Sequence, residues 1–375
     1  MKIGILGAGL TGCSLARLLV DRGHKVSLFE KNKRIGGLCI SDRNEWGLLY
    51  EPCGPRIFHT CDEEVKAFVE KFSAFNGYRH YKGVIIKGRL LPFPITLRAI
   101  TLLPDAAKIM KELKARPRKI NQSNFETACI CVFGKTLYKY FISNYTRKMW
   151  GVPPDELSAH WAPKRLMLRE CNNEELFKGE WQGLPIEGYS VWLERMSRGI
   201  SLQKNVNRLD AKEFDLIVST APIDEISGYR YGRLNYRSSK FMYAPGETWE
   251  EERYGGINLP QHPRFIRKTN FRILHRQVQA PDLIQYQQPC AVRNGEVPMY
   301  PVHTGGNEAL FQKYLSYVVS LPNVCPAGRL GLFEYLDMDE AVACAMKLVP
   351  FIEKYHDVSP RQRASELNRI RRHLL

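Results

Sequence analysis

The chain has 375 residues with 55 Lys and Arg against 39 Asp and Glu, a formal net charge of +16 at pH 7, and this length can bury a core shared between about two or three domains. Its apolar runs all fall short of the roughly 18 residues that a membrane-spanning helix needs, so the sequence predicts no membrane span. The basic residues are dispersed rather than gathered with aromatic residues in one stripe, which argues against nucleic acid as a partner.

The first 30 residues predict a strand, a glycine-rich turn, a helix and a second strand. The strands cover 3–6 and 26–29, the helix covers 15–22, and the second strand ends at Glu30. Glycines in the pattern G-x-G-x-x-G let the backbone approach a pyrophosphate at the helix N-terminus, while the carboxylate accepts a ribose hydroxyl. The pattern therefore predicts a dinucleotide-binding βαβ unit. Its glycines are Gly7, Gly9 and Gly12.

The segment after the second strand resembles the flavoprotein version of this unit. Arg34 is followed by Gly36 and Gly37, in a stretch that also lies along FAD in such proteins. One alternative is a structural βαβ unit without nucleotide. Another is a bacterial lipoprotein signal ending at Cys13, although its cleavage would remove the phosphate-binding loop.

Helical and strand patterns alternate through the rest of the chain. A buried strand over 216–221 ends in small residues, and the aromatic-rich stretch 229–300 favours an antiparallel sheet. A strand-like run over 81–91 contains a hairpin turn at 87–89 and is expected to stop at 91–94. The predicted helices are 63–72, 107–114, 125–132, 137–144 and 339–354.

Segments far apart in sequence fit the nucleotide fold, so the predicted fold class is α/β. We expect a discontinuous Rossmann-like FAD-binding domain with an inserted helical domain and an inserted antiparallel sheet domain. The FAD-binding domain would comprise 1–75, 190–228 and 320–375, and the helical domain 96–150. The sheet and substrate domain would comprise 76–95, 151–189 and 229–319, with a mobile loop near 160–180.

The ten cysteines and the basic tail carry less information. No C-x-x-C pair occurs, so we expect reduced thiols in a cytoplasmic protein and no metal. Arginines cluster at the C-terminus, where a solvated helical face is expected and contact with a membrane surface or polyanion is the alternative. They are Arg361, Arg363, Arg369, Arg371 and Arg372.

Short motifs follow one another from the first strand to about residue 350. They include G-P-R-I-F-H-T at 54–60, L-P-F at 91–93, Y-T-x-K-x-W-G at 145–151, Q-G-x-P-x-x-G-Y at 182–189, Y-P-V at 300–302, G-R-L at 328–330 and Y-x-D-M at 335–338. Their order and spacing together resemble the bacterial UDP-galactopyranose mutase family.

The resemblance implies a ring-contracting isomerase that converts UDP-galactopyranose to the furanose form for surface glycans. Reduced FAD would be the active cofactor, with its N5 as nucleophile on the anomeric carbon, so that no net redox change occurs. A reductant or NAD(P)H would keep the flavin reduced, and the protein would be a cytoplasmic homodimer.

The resemblance also implies roles for individual residues. Guanidinium groups and tyrosine hydroxyls suit a diphosphate leaving group, and His59 would orient the flavin rather than act as a strong base. The expected catalytic residues are His59, Arg165 and Arg267. The expected substrate-binding residues are Arg56, Tyr145, Trp150, Arg165, Arg267, Tyr300 and Tyr335. The expected cofactor-binding residues are Gly7, Gly9, Gly12, Glu30, Arg34, Gly37, His59, Arg329, Asp337 and Met338.

Several positions depart from the family pattern. Arg56 stands where galactose mutases carry histidine, and its extra donors could bind an N-acetyl carbonyl, which predicts use of UDP-N-acetylgalactosamine. Glu175, Leu176 and Ile142 replace residues on the nucleotide side, so a dTDP-linked 6-deoxy sugar stays possible. Pro94 replaces an asparagine without an evident consequence.

Two rival functions share the nucleotide motif or the charge. A flavin oxidase or desaturase of the amine-oxidase type would be expected to have an apolar substrate channel and to be reduced by its own substrate. A non-catalytic nucleotide- or polyanion-binding protein would isomerise nothing and would bind with a salt dependence that reflects several phosphates.

Overall fold

The computed structural model describes residues 1–159, 168–169, 173–177, 179–244, 246–249, 251–293 and 295–372. In chain order its strands are β1 (Lys2–Leu6), β2 (Lys25–Glu30), β3 (Asp42–Arg43), β4 (Leu49–Tyr50), β5 (Phe58–Thr60), β6 (Lys82–Ile86), β7 (Arg89–Phe93), β8 (Trp181–Gly183), β9 (Ser201–Lys204), β10 (Leu216–Ser219), β11 (Tyr236–Tyr243), β12 (Gly256–Asn258), β13 (Arg267–Asn270), β14 (Ile284–Ala291), β15 (Tyr300–Pro301) and β16 (Val324–Pro326).

Helices occupy both the nucleotide fold and the insertion before residue 150. In chain order they are α1 (Leu10–Asp21), α2 (Glu63–Glu70), α3 (Leu97–Ile100), α4 (Ala106–Lys114), α5 (Phe125–Leu137), α6 (Asn144–Trp150), α7 (Tyr189–Met196), α8 (Ile223–Ile226), α9 (Phe271–Leu274), α10 (Gly305–Ser320), α11 (Gly328–Gly331), α12 (Met338–Glu353) and α13 (Pro360–Arg372).

Two larger sheets organise the molecule. The first is parallel, in the order β16-β10-β1-β2-β9, with the glycine-rich loop leaving the end of its central strand β1. The second has seven strands in the order β15-β11-β14-β13-β12-β6-β7 and is antiparallel except where β12 meets β6. The predicted α/β fold class, with strands far apart in sequence sharing the nucleotide sheet, is confirmed. The domain boundaries stay a prediction.

The core divides in the same way. One cluster joins the parallel sheet to the helices around it, including Leu15 of α1, Trp192 of α7 and Val342 of α12. A second cluster joins the helices of 97–150 to β6 and β7 of the antiparallel sheet. No described helix is long and apolar enough to cross a membrane.

Local predictions differ from the structure where packing overrides propensity. α1 begins at Leu10 rather than at residue 15, because its first turn carries the third glycine of the loop. The strand expected to stop at 91–94 runs on through Pro92 as β7, which is an edge strand, the kind of strand in which proline is tolerated. The break expected between helices at 133–136 is a kink in α5 at Gly134, where φ is +74°.

The prediction of a solvated basic tail is wrong for two of its arginines. Arg371 and Arg363 in α13 are both 6% exposed. Arg371 forms ion pairs with Glu308 at 2.6 Å and Glu334 at 2.7 Å, so it neutralises acids of α10 and of the segment before α12. Arg363 donates to the carbonyl oxygens of Tyr355 and Val319. The tail is therefore partly a structural element.

Candidate active site

The glycine-rich loop forms a cradle that only glycine can form. A Cβ on Gly12 would lie 1.9 Å from the carbonyl oxygen of Gly7, whose own φ is +104°. At the N-cap of α1, Gly9 offers no side chain, and the first turn holds no acidic residue. The N–H groups of this helix N-terminus are therefore open to an anion, and the residues fit the pyrophosphate of a dinucleotide.

The acid and the flavoprotein motif surround this loop. Glu30 is 4% exposed, and its carboxylate accepts from the Ala8 and Asn32 N–H groups, each at 2.9 Å. Oε1 also accepts from the Asn32 side-chain amide at 2.8 Å, so Oε2 is the oxygen with a further lone pair for a ribose hydroxyl. The Gly36–Gly37 stretch is bridged to the loop at Gly9, while Arg34 pairs with Asp42 at 2.8 Å at the rim.

Tyr300 lies at the centre of a cationic cluster. Burial raises the pKa of the Tyr300 hydroxyl, but the guanidinium groups of Arg56, Arg329 and Arg267 outweigh burial and lower it below its ordinary value. The Tyr300 ring stacks on Tyr335 with centroids 5.4 Å apart. The edge of Trp150 meets both rings, at 6.3 Å and 6.0 Å between centroids. Six predicted site residues are thus brought together.

Arg267 and Tyr145 extend this cluster towards α6. Arg267 donates to the Tyr145 hydroxyl at 3.3 Å, and its buried Nε has no hydrogen-bond partner among the described residues. Tyr145 begins the last turns of the inserted helical region, directly after a π-helical stretch at Tyr138–Ser143. π-helical turns are frequent at functional sites. Arg267 therefore has donor capacity left for a ligand.

His59 is held by two residues that the sequence did not single out. Its Nδ1 lies 2.6 Å from Glu180 Oε2, and its ring stacks on Phe177 with centroids 3.6 Å apart. Burial lowers the pKa of His59, but the hydrogen bond to Glu180 and the carboxylates of Asp337 and Asp339 outweigh burial and raise it. In the sequence, the one indication of their importance was that Phe177 and Glu180 follow Glu175 and Leu176, which depart from the family pattern.

The remaining cofactor candidates lie around the start of α12. Asp337 is its N-cap and forms a capping box with Glu340, and Met338 is its first residue. Arg329 donates to the carbonyl oxygens of Leu336 and, at 3.2 Å, Met299, so its guanidinium is fixed to the backbone. Asp339 was missed by the sequence: burial raises its pKa to about 6, and its Oδ1 has no hydrogen-bond partner among the described residues.

Arg165 and much of the predicted mobile loop near 160–180 lie outside the described residues. Of the departures from the family pattern, Glu175 is 6% exposed and pairs with Arg79 at 2.5 Å, so it belongs to the protein interior. Ile142 is a core residue of the helical region. Among the described residues, no group of three or more His, Cys, Asp or Glu could hold a metal ion.

A Rossmann-like fold, with a phosphate cradle near a cluster of tyrosines and arginines, defines a dinucleotide-binding protein with a cationic, aromatic site. Sequence profiles agree: that of the NAD(P)-binding Rossmann-like domain matches residues 5–72, and that of UDP-galactopyranose mutase matches residues 140–335. The chain belongs to the UDP-galactopyranose mutase family and is an isomerase with FAD as its cofactor. This assignment decides against the oxidase and the binding-only readings.

Individual relatives cover nearly the whole chain. A probable UDP-galactopyranose mutase of Klebsiella pneumoniae is 30% identical over 361 residues, which is 92% of this chain and 93% of that protein. A dTDP-fucopyranose mutase of Escherichia coli is 28% identical over 92% of this chain and 97% of its own length. A crystal structure of reduced UDP-galactopyranose mutase superimposes with a TM-score of 0.77 at 18% identity, covering 99% of this chain and 98% of that one.

Proposed function

We propose that the chain converts UDP-galactopyranose, UDP-N-acetylgalactopyranose or both to the furanose form. The observation that carries this proposal is the Tyr300 hydroxyl among the guanidinium groups of Arg56, Arg267 and Arg329. A nucleotide diphosphate that leaves and returns needs fixed positive charge and hydroxyl donors at one place. An apolar oxidase channel would have no use for such a cluster.

Different residues of the site bind the diphosphate, the base and the sugar of the substrate. The buried Nε–H of Arg267 has no hydrogen-bond partner among the described residues, so together with Tyr300 and Tyr335 Arg267 binds the diphosphate, and Arg165 adds a second guanidinium. Tyr145 stacks on the base. Trp150, whose edge meets both tyrosine rings, borders the sugar.

The loop of Gly7, Gly9 and Gly12 holds the cofactor pyrophosphate, and Glu30 holds its ribose. Reduced FAD, when bound, supplies N5 as a nucleophile for the anomeric carbon of the sugar. His59, whose pKa Glu180 helps to raise, orients the flavin instead of accepting a proton. Arg34, Gly37, Arg329, Asp337 and Met338 complete the cofactor site.

Arg56 distinguishes the sugars. Its guanidinium donates to the carbonyl oxygens of Cys53 at 3.1 Å and Pro55 at 3.4 Å, which leaves N–H groups for an N-acetyl carbonyl on the sugar. A second candidate is a dTDP-linked 6-deoxy sugar, favoured by the 28% identity with a dTDP-fucopyranose mutase.

A cytoplasmic homodimer kept reduced by NAD(P)H or another reductant completes the proposal. The cytoplasmic part is supported by the cysteines that the structure describes, which are free thiols.

The sugar proposal is tested with Arg56→His. Reduced wild-type and variant proteins are given UDP-galactose or UDP-N-acetylgalactosamine, and the furanose products are separated by chromatography. We expect the variant to lose use of the N-acetyl sugar by about tenfold more than use of galactose, the effect of roughly one charge-assisted hydrogen bond. Equal losses with both sugars would contradict the role of Arg56. Conversion of dTDP-fucose in preference to both would favour the second candidate.

A further inference from the structure

One face of the antiparallel sheet carries polar residues in register across three neighbouring strands. Lys82 in β6 pairs with Gly256 in β12, and Gly256 pairs with Thr269 in β13. Residues paired directly across strands share a face, and so do residues two apart on one strand. Lys82, Thr269 and the site residue Arg267 therefore lie on the same face.

Gly256, which has no side chain, lies between Lys82 and Thr269 in the sheet. A Cβ built there would meet nothing closer than 3.7 Å, and its neighbours would be the carbonyl oxygen of Lys268, the Thr269 hydroxyl at 3.8 Å and the His80 ring at 3.9 Å. Polar groups thus border a space that any other residue at 256 would partly fill.

Lys82 is buried, and no described acidic residue forms an ion pair with it. It is 7% exposed, and its side chain has no hydrogen bond or ion pair among the described residues. Burial first, and then the charge of Arg267, lower its pKa well below the ordinary value. A buried ammonium next to another cation is unfavourable unless an anion joins it.

Other polar atoms on this face are unsatisfied too. Buried atoms without a hydrogen-bond partner among the described residues include Asn258 Oδ1, Arg267 Nε and Gln285 Oε1. Asn258 pairs with Arg267, and Gln285 pairs with Thr269, so both belong to the face of Lys82. Unsatisfied buried polar groups call for an explanation, and a polar ligand supplies one for the whole row.

The position of this row fits the sugar of the proposed substrate. Arg267 contacts Tyr145 at the diphosphate end. At the other end, the ring of Phe177 lies 3.6 Å from that of His59 and 6.0 Å from that of His80. Burial, and then the charges of Lys82, Arg267 and His59, lower the pKa of His80, so Lys82 is near residues of both ends.

We propose that Lys82 is a specificity-determining residue that binds a negatively charged group on the sugar, such as the C6 carboxylate of a hexuronate. This inference rests on the proposed function and adds acidic nucleotide sugars to its substrate class. The diphosphate uses Arg267 and Tyr300, so the second anion comes from the sugar itself. Arg56 lies on a different segment and acts on a different substituent.

Binding and turnover are measured separately. Oxidised, FAD-bound protein is titrated calorimetrically with UDP-galacturonate, UDP-galactose and UDP. We expect the wild-type protein to bind the galacturonate at least about tenfold more tightly than galactose, and Lys82→Met to abolish that ratio. Lys268→Met is the matched control, because Lys268 is on the opposite face of β13 and pairs with Glu247 at 2.9 Å.

Equal affinities of the wild-type protein for the two sugars would overturn the inference without any variant. A ratio that persists in Lys82→Met would overturn it as well. The proposed function fails in a different way: reduced protein would then convert none of the sugars to furanose, even where the Lys82-dependent binding ratio is present.

Discussion

The guanidinium of Arg267 on β13 and the hydroxyl of Tyr145 on α6 are joined by a hydrogen bond of 3.3 Å. This contact connects the antiparallel sheet to the inserted helical region at the proposed nucleotide end of the site. A lysine three residues further along α6 fixes it. Lys148 Nζ donates to the carbonyl oxygens of Leu259, His262 and Phe265, just before β13.

Lys148→Met should therefore loosen Tyr145 relative to Arg267. We expect the affinity for UDP to fall about tenfold, since three charge-assisted hydrogen bonds that position α6 are lost. Calorimetric titration with UDP measures the effect. Arg147→Met, at an exposed position of the same helix, is the control, and equal affinities of the two variants would contradict the positioning role.

Tyr300→Phe should weaken diphosphate binding while leaving the fold intact. The ring contacts with Trp150 and Tyr335 persist, but the hydroxyl among three guanidinium groups is lost. We expect UDP to bind about tenfold more weakly and the affinity for uridine alone to stay unchanged. An equal loss for uridine would show that Tyr300 supports the base rather than the diphosphate.

Gly12→Ala should yield protein without flavin. The added Cβ would lie 1.9 Å from the Gly7 carbonyl oxygen, so the phosphate loop could not keep its shape. Absorbance of the purified protein near the flavin band gives the FAD content. Gly306→Ala, where a Cβ meets nothing within 4 Å, should retain full occupancy. Normal flavin content in the Gly12 variant would rule out this loop as the pyrophosphate site.

Arg371→Met should destabilise the protein by about 3–5 kcal/mol, the usual effect of breaking a buried ion pair. Arg371 should also make the stability of the folded protein depend on pH in the acid range. Burial raises the pKa of Glu308, but Arg371 outweighs burial and lowers it to about 2. Because the pKa in the folded state is depressed, this stabilisation is present above the ordinary pKa of about 4.5 and is lost as pH falls towards about 2.

As pH is lowered from about 4.5 to about 2, the thermal unfolding midpoint of the wild-type protein should accordingly decrease. The midpoint of Arg371→Met should decrease less over the same pH interval. Arg372→Met, at an exposed position, is the control and should behave as the wild type does. An equal decrease of the thermal midpoint in the wild-type protein and in Arg371→Met would contradict the contribution of the Arg371–Glu308 pair.

The sequence predicted those parts of the fold that depend on residues close together in the chain. The βαβ unit follows from neighbouring residues, so its strands were placed to within about one residue. The burial of Arg371 depends on Glu308 and Glu334, which are far away in sequence and which no local pattern connects to the tail. The tyrosine and arginine cluster was expected only from the family resemblance, and its members are brought together by β15, β13 and α6.

Lys82, Phe177 and Glu180, which the sequence analysis missed, depend on contacts between segments that are far apart in the chain. Lys82 follows an unremarkable strand pattern, and only its pairing with Gly256 places it beside Arg267. Phe177 and Glu180 contact His59, which lies far earlier in the chain. The spacing of residues along the chain does not predict such contacts.

The central claim is ring contraction that requires the reduced cofactor. Dithionite-reduced protein is incubated anaerobically with UDP-galactose and, separately, with UDP-N-acetylgalactosamine, beside oxidised samples of the same preparation, and the products are resolved by chromatography. The account predicts a furanose peak in the reduced samples alone. Furanose in equal amounts from oxidised protein, or none from reduced protein with any nucleotide sugar offered, would contradict it.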